Sequence, residues 1–212
     1  MIIVNKSPLE QYMDKLKGMN DKEYLFGVIL YHIAPTLLSD KPSCIITLGK
    51  SKRNLNLLWE SYREEFLLIS ELEIYEIKRR FESKTLFIYD RNVLSKVIYQ
   101  NENIKFLKKF GYEKSLSVDE MLKLLKERFK YFCPHEMGIF LGFPLKDVVC
   151  FMEHPNKKSL LSGYWKVYND INYAEKKFIN YDNAKHTIVK SVLQGIPPSL
   201  IVKNKKREVI MY

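Results

Sequence analysis

His135 and Glu136 stand side by side in the stretch Cys133-Pro134-His135-Glu136-Met137, the part of the chain richest in groups that could do chemistry. An imidazole next to a carboxylate offers general acid/base catalysis, and in an HExxH helix two histidines hold zinc while the glutamate serves as base. The fourth residue after His135 is Ile139, so that zinc motif is incomplete. What remains is His135 and Glu136 as an acid/base pair, weighed against a plainer use in which the carboxylate favours the positive end of a helix and the imidazole bonds nearby backbone.

A second constellation is Cys133, His135, Cys150 and His154, the last two spaced to share a helix face. Thiolates and imidazoles bind zinc or iron, but a Cys-x-His pair is an uncommon chelate and buried cysteines behave mostly as small apolar side chains. The reading is therefore that no metal is held. Three cysteines, an odd number, in a chain without an export signal point to reduced thiols. Cys44 lies in no recognisable nucleophile motif. Neither a GxxxxGK[ST] phosphate loop nor a GxGxxG fingerprint occurs, which removes the two commonest nucleotide signatures. In Gly163 to Tyr168 (GYWKVY), strand alternation puts Tyr164, Lys166 and Tyr168 on one face and Trp165 and Val167 on the other. Two tyrosines flanking a lysine could stack on a flat ring or on bases; an amphipathic surface strand accounts for the same letters.

The elements that would position these groups can be read from capping and periodicity. Ser7-Pro8-Leu9-Glu10 opens a helix over 8–17, and Asn20 with Glu23 opens a buried one that Ala34-Pro35 should stop. Ser43 to Leu48 reads as an inner strand, followed by a helix from Leu55 to Leu68 and a hairpin of Leu72 to Lys78 with Thr85 to Tyr89. Helices follow from Asp90 to Gln100, from Ile104 to Phe110 closed by Gly111, and from the capping box of Ser117 and Glu120 to Phe132. Pro134 and Pro144 each open a short helix, broken at Gly142-Phe143-Pro144. GYWKVY is read as a strand, Asp170 caps a long helix to Gln194, and a last strand is expected over Leu200 to Lys203. The sum is an α/β (α+β mixed) fold, a small mixed sheet of four or five strands packed by seven or eight helices.

The 212 residues suit one globular domain over 1–203, with 204–212 a basic C-terminal tail whose mobility is expected of a terminus. Apolar residues at 46% and charged residues at 28% are far from a disordered composition. The longest apolar runs fall short of a bilayer span and the N-terminus lacks a signal-peptide pattern, so the expected location is cytoplasmic. The formal charge of +10 suits an anionic partner, yet apart from Lys78-Arg79-Arg80 and Lys203 to Arg207 the basic residues are scattered among carboxylates. Nucleic acid is therefore a disfavoured partner.

PHEMGIFLGFPLKDV (Pro134 to Val148) and GYWKVY, with Ala174 and Phe178 beyond, resemble a clostridial domain-of-unknown-function family, "three-seven-nine-three". Ala34-Pro35-Thr36-Leu37 with Lys41-Pro42, Leu86 to Tyr89 with Leu94, and Phe106-Leu107 with Gly111-Tyr112 extend the resemblance over nearly the whole chain. Cys133 and Cys150 depart from it, standing where an apolar residue and a glycine are expected. The resemblance implies cytosolic proteins of anaerobic bacteria with a role in iron or redox metabolism, and it adds Lys41 to Tyr164, Lys166 and Tyr168 as candidate ligand-binding residues. Three functions follow as expectations. The first is binding of a small molecule or cofactor (haem, flavin or nucleotide) between the Cys133 to Val148 helices and GYWKVY. The others are an enzyme using His135 and Glu136, and a module binding protein or nucleic acid through its basic face.

Overall fold

The computed structural model describes residues 6–50, 53–130 and 133–203, so the basic tail at 204–212 lies outside the described residues. Two helices open the chain, α1 (Pro8–Lys17) and α2 (Asp21–Leu38). The Ser7 hydroxyl and the Glu10 carboxylate close a capping box at α1, and the Asn20 side chain accepts from the Glu23 N–H at α2. Then come β1 (Ser43–Leu48), α3 (Leu55–Ile69) and the hairpin β2 (Glu73–Arg80) and β3 (Ser83–Tyr89). All three strands are antiparallel, in the order β1-β3-β2. The region beyond holds α4 (Arg91–Ile98), α5 (Asn101–Leu107), a 3-10 turn closed by left-handed Gly111, and α6 (Val118–Phe129). Next are α7 (Met137–Phe140), α8 (Leu145–Glu153), a two-residue ladder of β4 (Leu161–Ser162) with β5 (Lys166–Val167), α9 (Ile171–Leu193) and α10 (Pro198–Lys203).

Strand alternation divides the molecule into layers. Cys44, Ile46 and Leu48 of β1 and Leu86 and Ile88 of β3 point into a core filled by α1, α2, α3, α9 and α10. The intervening Phe87 and Tyr89, with Ile77 of β2, point the other way into a core built by α4 to α8. Tyr75 shares that second face with Ile77 by the same alternation, and a bulge between Glu76 and Lys78 shifts the register with β3 by one residue beyond them. The sheet is thus covered on both faces. A third, smaller cluster of Trp165, Val167, Ala174 and Tyr181 joins the β4–β5 ladder to the first turns of α9.

The α/β class is as read from the sequence; the described residues hold ten α-helices where seven or eight were expected, and four further details differ. The strands form two antiparallel sheets and no single mixed sheet. Helix α2 runs through Pro35 to Leu38, because Ile33 to Leu37 are all buried and their packing outweighs the one backbone bond that proline forfeits. GYWKVY pairs only at Lys166 and Val167. Leu200 to Lys203 is helix, with Pro198 in its first position and the Leu200 and Ile201 N–H groups donating to the Pro197 carbonyl. Among the described residues no helix is long and apolar enough to cross a membrane.

Candidate functional site

Between α7, α8 and β5 lies a cavity of about 250 Å³, lined by Met137, Gly138 and Leu141 from α7 and its end, Phe143 from the turn, Asp147, Val148 and Phe151 from α8, and Trp165 and Lys166, with Cys133 to His135 on one side. Its position follows from local sequence. Gly142 has φ +79°, the left-handed region that glycine enters without penalty, and a Cβ there would come within 2.6 Å of the Pro42 ring. That turn swings Phe143 back over the cavity. Gly138 lets α8 approach, since an added Cβ would lie 2.7 Å from Val148 Cγ2.

Three aromatic rings shape the walls. Phe143 stacks on Trp165 at 5.5 Å between centroids, and Trp165 meets Phe178 edge-on at 4.6 Å. Phe151 receives the His135 ring edge-on at 5.3 Å on one side and carries Lys166 Nζ over its face at 5.4 Å. Asp147, 3% exposed, is the carboxylate of the lining. Its Oδ2 accepts from Trp165 Nε1, and its Oδ1 accepts from the Tyr168 N–H and Asn169 Nδ2, each at 2.9 Å. Asp147 therefore fixes the indole in the wall and anchors the chain beyond β5 to α8.

The expected site residues separate. His135 and Lys166 line the cavity and are exposed at its rim. Glu136 turns the other way: it is 1% exposed, ion-paired with Arg128 of α6 and receives the Tyr112 hydroxyl at 3.4 Å. His135 and Glu136 thus do not act on a common atom. Lys41 is buried behind the wall, donating to the carbonyls of Ser43 at 2.6 Å and Leu141 at 2.8 Å, with its Nζ 5.5 Å from the Phe143 ring centroid. Burial pulls its ammonium down to about 8. With Ser43 Oγ donating to the Phe140 carbonyl, Lys41 caps the C-terminal end of α7. Tyr164 leaves the cavity for α9, donating to Asp182 at 2.7 Å beneath Lys185. Tyr168 is buried, with Lys157 over its ring. The alternation that grouped Tyr164, Lys166 and Tyr168 fails because the ladder is two residues long.

Cys133 is exposed at the cavity, and burial of part of its environment followed by the nearby Glu136 charge pushes its thiol up, away from nucleophilic use. Cys44 and Cys150 are buried, and among the described residues no three His, Cys, Asp or Glu side chains are grouped to hold a metal ion. Of the wall residues, Phe143, Asp147 and Trp165 lie within the two segments expected to enclose a ligand without being singled out there, and Phe151 lies outside both. Asp147, Val148 and Phe151 carry the one signal available, spacings of three and four that place them on one face of α8. Asp147 was masked by standing in a first helical turn, where a carboxylate is ordinary.

A family model described as "Protein of unknown function (DUF3793)" matches residues 29–202. No curated protein and no solved structure matches the chain.

Proposed function

The chain belongs to the DUF3793 family, whose description names no activity, and we propose that it is a small-molecule-binding protein whose ligand occupies the cavity between α7, α8 and β5. The observation that supports this reading is the lining: Phe143, Phe151 and Trp165 with Met137, Leu141 and Val148, and a few polar groups at the edge. Ligand sites are largely apolar hollows in which a small number of polar groups set orientation. The volume of about 250 Å³ lies just under the range of roughly 300–1,000 Å³ for drug-sized ligands, room for one ring or a short chain. A haem, flavin or nucleotide would enter by one end only. A role in iron or redox metabolism rests on the family resemblance and selects flavin, haem and nucleotides as the first compounds to test.

Trp165 supplies the assay. With Trp59→Phe the protein keeps a single tryptophan in the cavity wall. Titration with flavin, haem, nucleotides and one-ring aromatics is expected to change Trp165 emission and raise the melting temperature. Ligand at a hundred times its Kd adds about 2.7 kcal/mol of stability. Neither signal with any of these compounds would remove the reading. An enzyme is the lesser alternative. His135 faces the cavity, but the described residues supply no hydrogen-bond partner to orient its ring, and Glu136 is held by Arg128. The basic-face reading gains little from the fold, because Arg79 pairs with Glu76 and Glu60 and Lys78 lies against Phe129, donating to its carbonyl.

A further inference from the structure

The polar groups at the cavity are unevenly spent. Asp147 brings the negative charge of the lining, and it is an acceptor only, with three donors from Trp165, Tyr168 and Asn169 already on its two oxygens, so it has no proton to donate to a ligand and little acceptor capacity left. The other carboxylate of the segment, Glu136, is drawn off to Arg128 on the far side of α7. Lys166 has no carboxylate within ion-pair distance among the described residues, and its ammonium is held over Phe151. His135 packs on the same ring, and its imidazole makes no hydrogen bond among the described residues. One phenyl ring thus holds two uncommitted basic side chains at the rim. Lys41, likewise without a carboxylate partner among the described residues, stands behind Phe143 and adds a third source of positive potential. An apolar hollow whose uncommitted nitrogen donors are all on basic groups discriminates by charge: an anion gains the rim, and a neutral isostere of the same shape does not.

We propose that the cavity takes a small amphipathic anion, a single ring or short chain that lies against Phe143 and Trp165 and bears a carboxylate or phosphate seated between Lys166 and His135. This rests on the small-molecule-binding reading and narrows it to a ligand class. Lys166 is the charge-selecting residue, His135 a second donor, and Phe151 the support that positions both.

The test uses the full chain with Trp59→Phe and follows Trp165 emission during titration with benzoate and phenyl phosphate, and with the neutral isosteres benzamide and benzyl alcohol. The anions are expected to bind at least tenfold more tightly than the neutral compounds, with the margin shrinking in added salt. Lys166→Met is expected to bring that ratio below threefold while leaving the neutral compounds' affinity and the melting temperature unchanged, and His135→Gln to remove a smaller part of it. Whichever of benzoate and phenyl phosphate binds more tightly identifies the head group. Neutral compounds binding as well as the anions, or a ratio indifferent to Lys166→Met, would overturn the charge assignment and leave the cavity reading standing. Binding of none of the four would remove both.

Discussion

Replacing Glu136 by leucine is expected to cost stability and to leave the cavity's ligand preference in place. The carboxylate is 1% exposed and accepts from the Tyr112 hydroxyl, and its partner Arg128 has 26% of its side chain exposed, over the ring of Phe110. Exposed ion pairs contribute about 0–1 kcal/mol, and breaking a fully buried pair costs about 3–5 kcal/mol because the remaining charge is stranded. A guanidinium that still reaches water with a quarter of its surface places Glu136→Leu between them, at about 2–3 kcal/mol. In a chain of this size that is a fall in melting temperature of about 4–12 °C. Urea unfolding of the wild type, Glu136→Leu, Arg128→Met and the double variant measures the coupling directly. The double variant is expected to be more stable than Glu136→Leu alone, since removing both charges strands neither. A loss below about 0.5 kcal/mol for Glu136→Leu, within the range of ordinary surface substitutions, would refute the reasoning. So would a double variant less stable than both singles.

Lys41→Met tests the buried ammonium through pH. Its folded value of about 8 lies below the ordinary 10.5, so between these values the unfolded chain binds the proton more strongly and stability contributed at this site rises with pH. The gap is worth about 3 kcal/mol, and the wild type should gain up to that amount over Lys41→Met from pH 8 to 10.5 in denaturant titrations, with no differential slope below pH 7. Asp147→Ala leaves three donors without an acceptor, at about 1–3 kcal/mol each for those that water cannot reach, and should shift Trp165 emission to the red as the indole leaves the wall. Gly142→Ala forces a Cβ into both a left-handed backbone and the Pro42 ring, a loss of about 2–4 kcal/mol that chemical denaturation should detect.

Much of the fold is legible because its signals are local. The capping boxes at Ser7 and Ser117 and the caps at Asn20, Asp90 and Asp170 all hold through side chains accepting from the backbone N–H three residues on. Ser43–Leu48 is bounded by a proline before it and a glycine after it, and it emerges as read. The failures share a cause in packing that the local letters do not announce. Pro35 is carried inside α2 by neighbours on α2's own buried face, and Ile201 and Val202 of α10 are apolar letters that a strand would use equally well until the first core takes them up as helix. The same limit governs the site. Pro134 to Val148 marks the region by its alternation of glycine, proline and apolar residues. That His135 looks into the cavity while adjacent Glu136 looks out of it depends on Arg128 and Phe151, residues from two other helices. Trp165 becomes a wall only because Asp147, 18 residues away, accepts its N–H.

The bonds that hold the cavity's back wall have a kinetic meaning. Lys41 reaches Leu141 across 100 residues of chain and Ser43 reaches Phe140 across 97, and the first core spans still more, with Lys15 donating to the Leu193 carbonyl 178 residues on and Ser199 to Glu23 across 176, whereas the β2–β3 hairpin joins near neighbours. Closing so long a loop is entropically costly until the elements at both ends exist to be joined, so these contacts form after the local β2–β3 hairpin. Weakening the clasp should then hasten unfolding and leave refolding almost unchanged. The cavity's back wall would take shape only once β1 and α7 have both formed.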